Sequence, residues 1–229
     1  MKHFVTVAVL SLFCTSLVAQ WQKIDVSFEP LVISAVDSST LWSFNYNSGT
    51  MARTTDGGLT WVEHNIPNAK GILLGSFISA IDSSRAWVSF RHYNSGLNYV
   101  YRTVDGGQLW QAFKPGALDN SQIINFQKFY DFNRGLLLSQ DFDNHLFVHK
   151  TTNGGQSWTT KTLPIKGSHL GTATYGDKHI WFYTGSGELW SSKDGGTNWS
   201  NVQTPLIATA YGLALEFADS LNGWAFKDQ

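Results

Sequence analysis

Arg53-Thr-Thr-Asp-Gly-Gly-Leu-Thr-Trp61 returns three times along the chain. It recurs as Arg102-Thr-Val-Asp-Gly-Gly-Gln-Leu-Trp110, Lys150-Thr-Thr-Asn-Gly-Gly-Gln-Ser-Trp158 and Ser191-Ser-Lys-Asp-Gly-Gly-Thr-Asn-Trp199. A repeat at this period has to be settled before any other reading, because it dictates the architecture. Asp-Gly between apolar runs is a hairpin signal: glycine reaches positive φ without a steric penalty, and the acid accepts bonds from the turn's own amides.

A second track runs ahead of the first. Asp37-Ser-Ser-Thr-Leu-Trp42, Asp82-Ser-Ser-Arg-Ala-Trp87, Asp131-Phe-Asn-Arg-Gly-Leu136, Asp177-Lys-His-Ile-Trp181 and Asp219-Ser-Leu-Asn-Gly-Trp224 each place an acid-led turn before an apolar run. Four of the five prolines (Pro67, Pro115, Pro164 and Pro205) follow a repeat tryptophan by five or six residues, and Pro30 follows Trp21 by nine. Proline cannot donate to a ladder, so each marks a strand end where one unit hands over to the next. The second unit reads as strands at 74–81, 86–92, 99–104 and 109–113; the stretch 120–130 is the least decided and has a helical look. Four short strands per unit, repeated, predict an all-β chain built as a β-propeller of four-stranded blades. The expected blades are 31–66, 71–114, 120–163 and 167–204, with a partial fifth at 205–229 and an N-terminal strand at 21–30. The last unit stops in or just after its second strand, so the expectation is an incomplete propeller, about four blades plus part of a fifth, in a protein that continues past Gln229.

Composition agrees with a packed β protein. Charged residues make up 14 % of the 229 residues and aromatic residues another 14 %, which argues against disorder. A net charge of −1 supplies no drive toward nucleic acid or anionic lipid. Residues 1–19 read as a secretory signal peptide: Lys2, an apolar run from Phe4 to Val18, and Ala19 before a cut at Gln20. That run is too short and too interrupted for a spanning helix, so no stable membrane insertion is expected. The one cysteine, Cys14, lies inside it. A lipid on Cys14 is disfavoured by the bulky Phe13 before it. The remainder has no cysteine, hence no disulfide and no thiol chemistry. The expected address is secreted, periplasmic or cell-surface.

The repeat resembles the Asp-box, or BNR, motif Ser/Thr-x-Asp-x-Gly-x-Thr-Trp. Thr54 to Trp61 matches at every position; the later copies substitute Leu109, Asn153 with Ser157, and Asn198. The basic-Thr-x-Asp-Gly-Gly form and Gly223-Trp-Ala are similar to secreted bacterial propellers of the WD40/YVTN/BNR-like and photosystem-assembly-factor-like kind. Such motifs also occur in sialidases, other glycosidases and sortilin-type receptors, so the resemblance implies a fold rather than a chemistry. Asp56, Gly58 and Trp61, Asp105, Gly107 and Trp110, Asn153, Gly155 and Trp158, and Asp194, Gly196 and Trp199 are therefore expected to be structural.

Chemistry is harder to find. The five arginines (Arg53, Arg85, Arg91, Arg102 and Arg134) do not look like a convergent sialidase triad, since Arg53 and Arg102 share one repeat position. Glycosidases pair two carboxylates, and Glu29, Glu63, Asp119, Asp141, Asp143, Glu188 and Glu216 lie outside the repeat tracks. Asp141-Phe-Asp143-Asn144 lacks the glycine and distal glutamate of an EF-hand loop. His145 and His149 fall on one strand face but too far apart to share a metal. No cofactor, metal or catalytic residue is assigned. Arg53, Arg102 and Lys150 could form a basic stripe along adjacent blades for an acidic partner; the plainer alternative is ordinary exposed strand residues. The reading is a secreted non-catalytic binding or scaffold module for a protein or polysaccharide. The alternative is a glycoside hydrolase fragment, and an assembly factor for membrane complexes is a third option suggested by the resemblance.

Overall fold

The computed structural model describes residues 32–70, 73–113, 116, 118–167, 169–204 and 213–227. The expected leader, Cys14 and the strand at 21–30 lie outside the described residues.

Among the described residues, eighteen strands form four four-stranded sheets and one pair. The first sheet contains β1 (Val32–Ala35), β2 (Leu41–Asn45), β3 (Thr50–Thr54) and β4 (Val62–Asn65). The second contains β5 (Leu73–Ala80), β6 (Ala86–His92), β7 (Asn98–Thr103) and β8 (Gln111–Phe113). The third contains β9 (Gln122–Phe129), β10 (Gly135–Asp141), β11 (His145–Thr151) and β12 (Thr159–Lys166). The fourth contains β13 (His169–Tyr175), β14 (His179–Thr184), β15 (Glu188–Ser192) and β16 (Ser200–Gln203), and the pair is β17 (Leu213–Phe217) with β18 (Gly223–Lys227). Each sheet is an antiparallel meander in sequence order. Successive first strands lie side by side, β1 against β5, β5 against β9 and β13 against β17. This is the arrangement of propeller blades around an axis. Within the stretch 120–130, Gln122–Phe129 is a strand, whose pairing with β10 is broken by a bulge at Leu138/Ser139.

Burial peaks at the second strand of each complete blade and falls outward from there. The second strands are almost wholly buried, as in Leu41–Asn45 and Ala86–His92. They are mostly apolar rather than alternating, because both faces are covered by neighbouring blades. The fourth strands, such as Val62–Asn65 and Ser200–Gln203, are largely exposed, and their sequences are polar. One cluster centred on Trp42, Phe44, Val88 and Phe90 joins the first two blades. A second, around Leu136, Leu138, Ile180 and Phe182, joins the third and fourth.

The two sequence tracks meet in space. In every complete blade the amide of the first glycine of the Gly-Gly turn donates to a carbonyl of the acid-led turn: Gly57 to Ser39, Gly106 to Ser84, Gly154 to Asn133 and Gly195 to Lys178, at 2.8–2.9 Å. Both glycines of each turn have positive φ, for instance 69° and 91° at Gly154 and Gly155, which explains why a glycine pair is used.

Candidate functional site

The face carrying these turns is built from repeated local chemistry. Asp56 accepts from the Thr60 amide at 2.9 Å and its hydroxyl at 2.5 Å, and from the Thr54 hydroxyl at 2.8 Å. Thr54 Oγ1 in turn accepts from the Gly58 amide at 2.9 Å. The Thr60 bonds, then Thr54, hold the Asp56 carboxyl down at about 2. The later copies keep donor and acceptor matched. Asn198 donates from its amide nitrogens to Asp194, which is likewise held at about 2, first by the Asn198 backbone. At the third copy the roles reverse, with Asn153 Nδ2 donating to Ser157 Oγ at 2.8 Å. Trp61, Trp158 and Trp199 close their turns by donating to Gly58, Gly155 and Gly196 at 2.9–3.1 Å, and Trp110 stands edge-on to Trp42. All four rings are only partly buried, whereas Trp42 and Trp87 of the second track are fully buried.

Arg53, Arg102 and Lys150 each reach across to the next blade. Arg53 donates to the Ser83 carbonyl. Arg102, 9 % exposed, donates to Gly154 O at 3.4 Å and Gln111 Oε1 at 3.2 Å, and lies over Phe113 and Phe132. Lys150 donates to Thr197 Oγ1 at 3.1 Å. The seam between the first two blades also takes the Trp42 indole N–H on Asp82 O at 2.9 Å. The next seam takes Trp87 on Gly154 O at 3.1 Å and a Trp87–Phe129 stack at 4.0 Å. Sequence reasoning did not anticipate Arg91, which is buried and donates to Gln122 O and Asn120 O at 2.8 and 2.6 Å.

Two concavities share this face. One, about 600 Å³, lies where four blades converge, with Val36, Ile81, Lys128 and Thr174 among its walls. The other, about 460 Å³, lies between the third and fourth blades beside Leu136, Lys150 and Gly195. Tyr130, Arg134 and Asp177 border both. Arg134 pairs with Asp131 and, across the seam, with Asp177. Away from this face, a pocket of about 680 Å³ is lined by Ile66, Pro67, Lys70, His92 and Tyr99.

Of the remaining candidates, Asp141, Asp119 and Glu188 are used locally. Asp141 accepts from the Asp143 and His145 amides and from the His145 ring at 2.8–3.0 Å. Asp119 accepts from Ser121, and Glu188 from Ser186 and Asn201. Ser139 and His149 sit 2.7 Å apart, an arrangement that would suit nucleophilic catalysis in a cleft, but here both are fully buried inside the third blade. Among the described residues no three or more His, Cys, Asp or Glu gather where a metal could bind, and no helix is long and apolar enough to cross a membrane.

No family model matches the chain. It is 27 % identical over 174 residues to the photosystem II assembly lipoprotein Ycf48 of Synechococcus sp. (strain CC9902), covering 75 % of this chain and 48 % of that protein. It is 23 % identical over 197 residues to the Ycf48 of Prochlorococcus marinus (strain SARG), covering 85 % and 54 %. The chain thus spans about half the length of the curated relatives it matches. Among solved structures it superposes on YCF48 bound to D1 peptide, with a TM-score of 0.62, 16 % identity, and coverage of 85 % of this chain and 62 % of that one. It also superposes on the GH74 enzyme of Niastella koreensis, with a TM-score of 0.55, 17 % identity, and coverage of 80 % and 32 %. A peptide-bound protein and an enzyme thus share this architecture, and the chain is a β-propeller similar in sequence to Ycf48-type assembly proteins.

Proposed function

We propose that the chain is a non-catalytic propeller that binds a segment of another protein while a larger complex is assembled, outside the cytoplasm. The observation that carries this reading is its similarity, over most of its length, to an assembly lipoprotein, one relative of which has been solved with a peptide. The four Gly-Gly turns are read as Asp-boxes, and their aspartates, asparagine, glycines and tryptophans as structural. Arg53, Arg102 and Lys150 are read as clamps between blades rather than as a partner-binding stripe. The likeness to a glycoside hydrolase is a likeness of fold. A glycosidase's acid needs a raised pKa, yet the Asp carboxyls displaced from their ordinary range, Asp141 among them, are displaced downward.

The test is a photo-reactive residue at Lys128, in the central concavity, combined with deletion of the gene. The expected result is cross-linking to a subunit of an envelope or membrane complex whose assembly intermediates accumulate in the deletion strain. Normal assembly in the deletion strain, together with sugar release by the purified protein, would overturn the reading in favour of the hydrolase.

A further inference from the structure

Ladder register identifies equivalent positions in the blades. Trp42 pairs with Arg53, Trp87 with Arg102, Leu136 with Lys150 and Trp181 with Ser191. At three of these four positions an indole fills the seam with the next blade. Trp42 donates to Asp82 O and meets Trp110 edge-on. Trp87 donates to Gly154 O and stacks on Phe129. Trp181 stacks on Phe217 at 3.7 Å, 6° from parallel. The third blade has Leu136 instead. The residue that would receive an indole there carries no ring either. Phe129 and Phe217 pair with Gly135 and Gly223, and their counterpart in the fourth blade is Thr174, which pairs with Ile180.

The outcome is the 460 Å³ cleft. Its walls are held apart rather than collapsed. Arg134 spans the seam to Asp177, and Lys150 and Lys161 span it to Thr197. Gly195, the counterpart of the indole-accepting Gly154, lines it. The Tyr130 hydroxyl is enclosed on its wall with no partner among the described residues. Burial, then the Asp177 charge, raises this phenol's pKa and keeps it a proton donor. Lys150, Lys178 and Lys193 line the cleft, while its two acids are engaged, Asp177 by Arg134 and Asp194 within its own turn.

We propose that this cleft seats an aromatic side chain, an indole by preference, from a partner protein segment that carries a carboxylate beside it. The ring takes the place that the chain's own tryptophans fill at the other seams, and the carboxylate meets Lys178 and Lys193. This rests on the partner-binding reading above, which survives if the cleft proves idle.

The test is titration of the full chain with N-acetyl-tryptophan, its amide and N-acetyl-leucine, followed by NMR. Saturable binding of the first is expected, with the leucine compound about tenfold weaker or worse. Leu136→Trp should abolish binding while the fold, read by circular dichroism, is retained. Lys193→Gln should weaken N-acetyl-tryptophan but not the amide, a contrast that remains available if Leu136→Trp does not fold. Absent binding, equal binding of the leucine compound, or binding unchanged in a folded Leu136→Trp would overturn the proposal. Cross-linking at Lys128 that persists in Leu136→Trp alongside such a result would leave the assembly reading standing and the cleft assignment refuted.

Discussion

Acidification between pH 6.5 and 4 should destabilise this protein through one residue. His149 is fully buried in the third blade, within a chain of neutral partners: Thr160 Oγ1 at 2.8 Å from Nδ1, Ser139 Oγ at 2.7 Å from Nε2, and Gln122 Oε1 beyond at 2.7 Å. A neutral imidazole satisfies the chain when Thr160 donates to Nδ1, Nε2 donates to Ser139, and Ser139 donates to Gln122. No carboxylate among these partners compensates a charge, so burial pushes the imidazole from 6.5 down to about 4. Between those values the unfolded chain binds a proton that the folded chain refuses, so stability rises with pH across the window. The contribution is whole above 6.5 and is lost as pH falls to about 4. At about 1.4 kcal/mol per pH unit the loss approaches about 3 kcal/mol, a large share of a typical domain's ~5–15 kcal/mol. The displaced aspartates act lower, since their contributions fade only below the ordinary 3.8 toward about 2 for Asp56 and Asp194. The assay is urea unfolding at half-unit steps from pH 7 to 4.5, for the wild type and His149→Gln. The wild type should lose stability progressively below 6.5, and the variant should be weaker at pH 7 but nearly flat. A flat wild-type profile, or the same slope in the variant, would refute the reasoning.

Three further outcomes follow from packing. A Cβ on Gly154 would lie 2.6 Å from Arg102 Nη1 and 2.7 Å from Phe132 O, whereas one on Gly176, also at positive φ, meets nothing within 4 Å. Gly176→Ala should therefore cost only the backbone penalty of about 1–2 kcal/mol, and Gly154→Ala distinctly more, as read by paired urea melts. Trp87→Ala should cost about 3–5 kcal/mol, because the ring is fully buried and stacked; Trp61→Ala should cost less, as thermal unfolding of both would show. Arg102→Lys keeps the charge but loses the planar group over Phe113 and Phe132. It should destabilise by about 1–2 kcal/mol, and an unchanged melting temperature would count against a clamp.

Much of the architecture was legible in local sequence. The expected strands of the second unit, 74–81, 86–92, 99–104 and 109–113, compare with observed strands Leu73–Ala80, Ala86–His92, Asn98–Thr103 and Gln111–Phe113. The third blade's first strand was harder, because Gln122–Phe129 mixes polar and apolar residues and pairs with β10 through a bulge. The site was far less legible. Leu136 stood in plain view at a tryptophan position, yet its consequence is a property of two blades meeting. Tyr130 lay outside every motif, and although Arg134 and Asp177 both fall in acid-led turns, nothing local says that they pair across a seam.

The sequence by itself determined the blade, because a Gly-Gly turn, its acid and a four-strand alternation are satisfied by bonds within some twenty neighbouring residues. Only the tertiary structure decided what the seams do. Whether Arg53, Arg102 and Lys150 face solvent or the next blade, and whether a leucine leaves a cleft, depends on residues some thirty to fifty positions away. Repetition brings those residues into contact, but the side chains that meet there differ from seam to seam, and packing against that partner sets both burial and opening.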